Sequence, residues 1–228
     1  MKRITIVTSE KGGVGKSFHS KIKTEFKHKN SKVLLIDSDI ANPDVCRYFK
    51  NSDINSKQIN LTNHNGWMDF IDLLDEEKDI DEVVVNMPAR TNKILIAEAE
   101  VFFEVCKQLN FKVVIDFVIS RDTYCLVLLK QLYEGLSGFS FKLNIVLNGY
   151  FGEQEKFTRW HESKIRKQLL DDNRSELYLP DLDDRIVDKL KAPTLELLKT
   201  KELSLSERMN LERWITKVFN KLEEMDNE

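Results

Sequence analysis

One run of residues has the composition of a phosphate cradle: Glu10-Lys11-Gly12-Gly13-Val14-Gly15-Lys16-Ser17, with Phe18 directly after it. Glycines let backbone N–H groups turn toward an anion and let the ligand approach the main chain closely. A helical pattern begins at Lys16, so a helix N-terminus adds partial positive charge. In this pattern Lys16 reaches β- and γ-phosphates, and the Ser17 hydroxyl ligates Mg²⁺. The expected ligand is therefore ATP with Mg²⁺. Two residues depart from a plain cradle. The strict signature GxxxxGK[ST] has glycine where this chain has Glu10, and Lys11 is a second lysine that cradling phosphates does not require. Polar residues also follow three later apolar runs. Asp37 and Asp39 come after KVLLI, Asn86 after VVV and Asn148 after LNIVL. Carboxylates at the C-terminal end of a strand lie beside phosphates bound there. A lone asparagine at a strand end reads equally well as a turn former.

Those residues need elements that hold and aim them. Short apolar runs at 3–8, 32–37, 82–86, 112–119 and 142–148 read as strands. Their near-continuous apolar character fits parallel strands covered on both faces. Helical patterns lie between them, at about 16–29, 66–76, 92–109, 122–135 and 154–170. The alternation predicts an α/β fold, a doubly wound, mostly parallel sheet flanked by helices on both faces, with right-handed crossovers. No repeat or linker divides residues 1–228, so one domain is expected, with a C-terminal helical segment at about 183–224 that lacks strands. Ser204-Leu-Ser-Glu207 reads as a capping box opening the last helix. Along that helix Trp214, Ile215, Val218, Phe219 and Leu222 share one face, which suits docking on the sheet.

The 228 residues are 41% hydrophobic, enough for a sizeable core, and 32% charged, which suits a soluble surface. The net charge of −3 excludes a globally basic nucleic-acid binder, so DNA contact requires a local patch. Two basic sets exist. The first helix offers Lys21, Lys23, Lys27, His28, Lys29 and Lys32 against Glu25 alone. The second set is Lys189, Lys191, Lys199, Lys201, Arg208, Arg213, Lys217 and Lys221, diluted by Glu196, Glu202, Glu207 and Glu212. Either reads also as a solvated helical face, as does the acidic run from Asp69 to Glu82. Cys46, Cys106 and Cys125 are far apart with no CxxC pair, so buried free thiols are expected rather than a zinc site or disulfides. His19 and His161 lack the spacing of a metal pair. No apolar stretch approaches the roughly 20 residues of a membrane span. The acidic ending Glu223 to Glu228 argues against a membrane-surface helix, since anionic lipid would repel it. A cytoplasmic protein is expected.

The string KGGVGKS, Lys11 to Ser17, resembles the deviant Walker A motif of the ParA/MinD family of P-loop ATPases. By that resemblance Lys16 is the ordinary lysine, and Lys11 reaches across a dimer interface to the partner's nucleotide. Leu35-Ile36-Asp37-Ser38-Asp39 resembles the family's DxD. It implies that Asp39 positions the attacking water and assists Mg²⁺, with Asp37 as its companion near the metal shell. Ile40 to Asp44 resembles the first switch loop. The family has aspartate where Asn86 stands, holding Mg²⁺ through water. Asparagine keeps an acceptor oxygen but loses the charge a hard cation favours, so weaker Mg²⁺ binding and slow hydrolysis are implied. Asn148 resembles the asparagine that reads the adenine edge, and an amide that both donates and accepts suits that edge. Leu179-Pro180-Asp181 resembles the loop that lies against the base. The implied sets are Lys11, Lys16 and Asp39 for catalysis, and Ser17, Asp37, Asp39 and Asn86 for the metal. Glu10 through Phe18, Asn148, Pro180 and Asp181 form the implied nucleotide set. The chain lacks the bridging cysteines of the iron–sulfur branches, the doubled loop of the arsenite-pump branch and the basic tail of MinD-like proteins. What remains resembles short ParA-like plasmid partition or mobilisation proteins. Such proteins form a homodimer with ATP, bind DNA without sequence preference and hydrolyse ATP when a partner protein stimulates them. A second reading, resting on Asn86 and Glu10, is a nucleotide-occupied regulatory or assembly protein with little turnover. A third is a metabolic ligase or kinase, for which no substrate motif is present.

Overall fold

The computed structural model describes residues 2–171 and 174–227. Seven strands form one sheet: β1 (Lys2–Thr8), β2 (Val33–Asp37), β3 (Asn55–Gln58), β4 (Glu82–Asn86), β5 (Phe111–Ile119), β6 (Lys142–Asn148) and β7 (Ser175–Leu179). Their order is β3-β2-β4-β1-β5-β6-β7, and every pair is parallel. The central strands are buried along nearly their whole length, which explains their unbroken apolar runs. β1 sits between β4 and β5. The register sets Val7 level with Asn86 and Asp116, and Asp37 level with Asn86. The polar strand ends therefore meet at the C-terminal edge of the sheet.

The helices are α1 (Lys16–His28), α2 (Asp44–Tyr48), α3 (His64–Glu76), α4 (Asn92–Ala97), α5 (Ala99–Gln108), α6 (Thr123–Gly135), α7 (Thr158–His161), α8 (Lys164–Asp171), α9 (Asp184–Val187), α10 (Thr194–Leu197) and α11 (Leu205–Asn227). In one layer α3, α4, α5 and α6 pack together, with Trp67, Phe70 and Phe102 as an aromatic cluster. In the other, α1 meets α2 and α11, and α11 meets α9. The predicted capping box is present. Ser204 N donates to Glu207 Oε2 at 2.8 Å, and Glu207 N donates to Ser204 Oγ at 3.3 Å. The predicted stripe on α11, Trp214 to Leu222, is buried. No helix among the described residues is long and apolar enough to cross a membrane.

Two strands are additional to the five read from apolar runs. β3 is the polar stretch NSKQ, and β7 is SELYL, which alternates. Both are edge strands, where one flank lacks a neighbour and a continuous apolar run is not needed. The helical stretch 92–109 divides at Glu98, whose carboxylate accepts from His64 Nδ1 at 3.0 Å. The stretch 154–170 divides into a 3₁₀ turn, α7 and α8.

The basic face of the first helix is corrected in part: Lys29 and Lys32 are exposed, but the middle of the set is enclosed. Lys23 and Lys27 are buried. Lys27 Nζ lies 2.7 Å from Glu82 and 2.6 Å from Asp226, and Lys23 Nζ lies 3.3 Å from Asp226 and 3.7 Å from Asp116. Arg3 completes the group at 2.8 Å from Asp226. Lys21 pairs with Asp44 at 2.6 Å. Glu25 is buried too, and accepts from Tyr48 Oη, Thr194 N and Thr194 Oγ1. Charges are buried here because each has a partner. Glu82 thus leaves the solvated acidic surface predicted for the run from Asp69. Glu228 lies outside the described residues. Cys106 and Cys125 are buried as expected, whereas Cys46 is only half-buried.

Candidate nucleotide site

β1 delivers the chain to the loop, and α1 leaves it at Lys16. Gly13 (φ +73°) and Gly15 (φ +98°) are left-handed, so a side chain at either would strain the turn. Gly15 is also hemmed in: a Cβ there would stand 2.2 Å from Asn148 Nδ2. A Cβ on Gly12 or Gly13 would meet nothing within 4 Å, so that side of the loop is open. Lys16 is buried and curls over the loop, donating to the Lys11 carbonyl at 3.1 Å. Burial lowers its pKa, against the pull of Asp39 and Glu10. Among the described residues the Ser17 hydroxyl has no hydrogen-bond partner, which leaves it available. Lys11 points away from the loop's interior. Its ammonium pairs with Asp122, the residue that caps α6 by accepting from Tyr124 N at 2.9 Å. That contact raises the Lys11 pKa and lowers that of Asp122. Sequence reasoning missed Asp122, which is 111 residues from Lys11 and carries no local signal.

The β2 and β4 ends supply the second wall. Asp37 is fully buried, and all its accepting capacity is engaged. Oδ2 takes Val45 N and Cys46 N, each at 3.0 Å, and Oδ1 takes Asp39 N at 3.3 Å and Asn86 Nδ2 at 2.9 Å. Asn86 Oδ1 accepts from Ser20 Oγ at 3.0 Å. Asp37 and Asn86 therefore brace the start of α2 in this arrangement. Asp39 is half-buried and accepts from Asn42 N at 3.2 Å. On the remaining side, Asn148 Nδ2 donates to the Val14 carbonyl at 2.8 Å, and its Oδ1 accepts from Tyr150 N at 3.1 Å. Gly149 lets β6 and the Pro180-Asp181 loop come together, since a Cβ would stand 2.7 Å from Asp181 N. The Pro180 carbonyl accepts from Trp214 Nε1 at 2.9 Å. The Phe18 ring lies against Trp214, 5.8 Å between centroids, rather than toward the loop. Glu10 joins the site to the segment after β4, through Arg90 N and Asn92 N.

These features fit a magnesium nucleotide. The open glycines leave room for phosphates, Lys16 rests on a carbonyl an anion could replace, and Ser17 is available. Among the described residues no three His, Cys, Asp or Glu side chains cluster as a metal site. A hollow of about 950 Å³ lies at the opposite end of the sheet, among Phe103, Phe139 and Phe141, far from the glycine loop.

The ParA family model, described as NUBPL iron-transfer P-loop NTPase, matches residues 1–113. Protein MobD of Acidithiobacillus ferrooxidans is 33% identical over 215 residues, spanning 93% of each chain. The septum site-determining protein MinD of Pyrococcus horikoshii OT3, solved with Mg-ADP, superposes with a TM-score of 0.57 at 14% identity, covering 98% of both chains. A Borrelia burgdorferi B31 protein assigned to plasmid partition and bound to AMPPNP gives 0.55 at 16% identity, over 97% of this chain and 99% of that one. The two structures speak for the fold alone. The near-complete span of a relative one-third identical, joined to the loop and the parallel sheet it sits on, places the chain in the ParA family of P-loop NTPases.

Proposed function

We propose that this chain is a ParA-like ATPase that binds Mg-ATP and dimerises on it to position, partition or mobilise plasmid DNA. The observation that carries this reading is the direction of Lys11. Its ammonium does not serve its own loop, but stands half-exposed against Asp122. There a second copy's phosphates could take the place of Asp122 as its partner. Tyr124, Val127 and Tyr150, at 59%, 45% and 69% exposure, lie close by in the chain's course around Asp122 and Asn148. Apolar side chains that open are suited to burial against a partner. The relatives support a plasmid role: one is named MobD, and a structural neighbour is assigned to plasmid partition.

In this reading Lys16 neutralises the β- and γ-phosphates and the loop amides hold them in place. Ser17 would hold the cation, which would supply further neutralisation of phosphate charge. Asp39 orients the attacking water. Asp37 and Asn86 hold the first switch loop. Because the Asn86 amide is engaged with Ser20 and Asp37, the reading includes slow unaided turnover, raised by a partner protein. The same observation favours the second reading, a nucleotide-binding regulatory protein with little hydrolysis. For DNA, Lys191, Lys201, Arg213 and Lys217 are exposed cations of the C-terminal set, as is Lys199, which pairs with Glu196, whereas Lys189 is held by Glu207. Exposed lysines and arginines recognise phosphates without reading sequence. An iron-transfer role gains no support from the cysteines, since Cys106 and Cys125 are buried and Cys46 is half-buried on another element.

Sedimentation with Mg-ATP tests the proposal. The wild type is expected to shift from monomer to dimer, and Lys11→Ala to stay monomeric while still binding ATP. A wild type that remains monomeric, or a variant that dimerises equally well, refutes it. Phosphate release with DNA and partner then separates the ATPase from the regulatory reading.

A further inference from the structure

Glu10 stands where a plain phosphate loop has glycine, and cradling phosphates gives its carboxylate no task. It is tied twice to the segment after β4. Its carbonyl accepts from Arg90 N at 3.1 Å, and its carboxylate Oε2 accepts from Asn92 N at 3.3 Å. Glycine at position 10 would keep the first bond and lose the second. The corner these bonds hold is strained. Arg90 lies at φ +66°, a left-handed conformation that a long side chain rarely adopts and that surrounding contacts must impose. Around it, Thr91 Oγ1 donates to the Pro88 carbonyl at 3.0 Å. Asn92 is buried and donates through Nδ2 to the Leu128 carbonyl of α6 at 3.1 Å. The corner is thus anchored to α6 on one side and to the phosphate loop, through Glu10, on the other.

We propose that Glu10 is a positioning residue whose carboxylate locks the corner 88–92 to the phosphate loop, so that the two segments shift as one body. The corner follows directly from Asn86, so any displacement of the loop by a bound anion is passed toward the β4 end without a ligand touching it. The tie requires an acceptor oxygen at this position and not a charge. The static tie stands without any nucleotide. Only the coupled response rests on the reading of residues 10–17 as an ATP loop.

Backbone hydrogen exchange on the full chain tests this, comparing wild type, Glu10→Gln and Glu10→Ala with and without Mg-ATP. Without nucleotide, peptides covering 89–94 are expected to exchange about tenfold faster in Glu10→Ala and within about threefold of wild type in Glu10→Gln, with β5 and β6 unchanged. Wild-type protection at 89–94 in Glu10→Ala overturns the proposal. Glutamine guards against a folding defect in the alanine variant: slow exchange in Glu10→Gln supports the tie, and fast exchange there with β5 and β6 intact overturns it. With Mg-ATP, wild type is expected to gain protection at 10–17 and 89–94 together, and Glu10→Ala at 10–17 alone. Equal gains at both segments in Glu10→Ala also count against the tie. If ATP changes neither segment in wild type, the nucleotide reading fails, while the nucleotide-free comparison still judges the tie.

Discussion

The two ends of helix α1 carry the same kind of residue under opposite conditions. At its N-terminal end Lys16 rests on a backbone carbonyl, the Ser17 hydroxyl has no partner among the described residues, and Asp39 is half-open. Toward its C-terminal end Lys23 and Lys27 are enclosed by Asp116, Asp226 and Glu82. Capacity left unfilled marks the end that can take a ligand. Capacity filled from within marks the end that holds the molecule together. A count of lysines along the helix cannot separate the two, because the difference lies in partners that come from β4, β5 and the far end of α11.

The strongest way to break this contrast is to remove a partner from the closed end. Asp226→Ala leaves Arg3, Lys23 and Lys27 short of one carboxylate, and stripping one member from a buried ion group costs about 3 kcal/mol. In a chain of this size that lowers Tm by roughly 10 °C. Nucleotide affinity should stay within about twofold if the two ends are independent. Calorimetry with and without Mg-ATP reads both. Acid probes the same group. Burial alone would raise the Asp226 pKa, but Lys23, Lys27 and Arg3 outweigh it and the value is lowered. A depressed carboxylate contributes stability above its unfolded value of about 3.9, and that stability is lost as pH falls below it. At the start of α11, Lys189 and the Ser204 backbone hold Glu207 at about 2. Melting temperature should therefore drop steeply below about pH 4, and less steeply in Asp226→Asn. Equal slopes would remove Asp226 from the account.

The open end responds in the opposite sense. Lys16→Ala removes a charge-assisted contact to phosphate, worth about 2 kcal/mol or roughly thirtyfold in ATP affinity by titration calorimetry. The apo protein should melt within a few degrees of wild type, since Lys16 contributes a single bond to a carbonyl. A large loss of stability would show that this lysine is structural after all.

The smallest effect sharpens the boundary between the ends. Asn86→Asp would set two carboxylates at the 2.9 Å now spanned by the Asn86 and Asp37 hydrogen bond. One must then keep a proton or share a cation. A loss of about 1.5 kcal/mol without divalent cation is expected, corresponding to roughly one pKa unit of mutual repulsion. Mg²⁺ should restore most of it. A variant as stable as wild type in chelator would contradict the bracing role read from the geometry.

Legibility in the sequence followed distance along the chain. The phosphate loop is one contiguous run, and its glycines report their own backbone demands, as Gly13 and Gly15 confirm at positive φ. The five central strands declared themselves because burial on both faces forces a continuous apolar run. The edge strands β3 and β7 did not, because one covered flank allows polar or alternating residues. The pairing of Lys11 with Asp122, the tie from Glu10 to Asn92 and the enclosure of Lys23 by Asp226 join residues 82 to 203 positions apart. No local period encodes such contacts.

The sequence by itself therefore determined the glycine-rich loop, the parallel α/β class, the capped last helix and, through KGGVGKS, the family. Each is a matter of local backbone freedom or of which faces are covered. Tertiary structure alone decided which charges are available. It turned Lys11 outward onto Asp122, engaged both ends of the Asn86 amide, and folded Asp226 of α11 over the lysines of α1. The reason is electrostatic: a charge's free energy is set by what surrounds it, and those surroundings exist only once distant segments have packed.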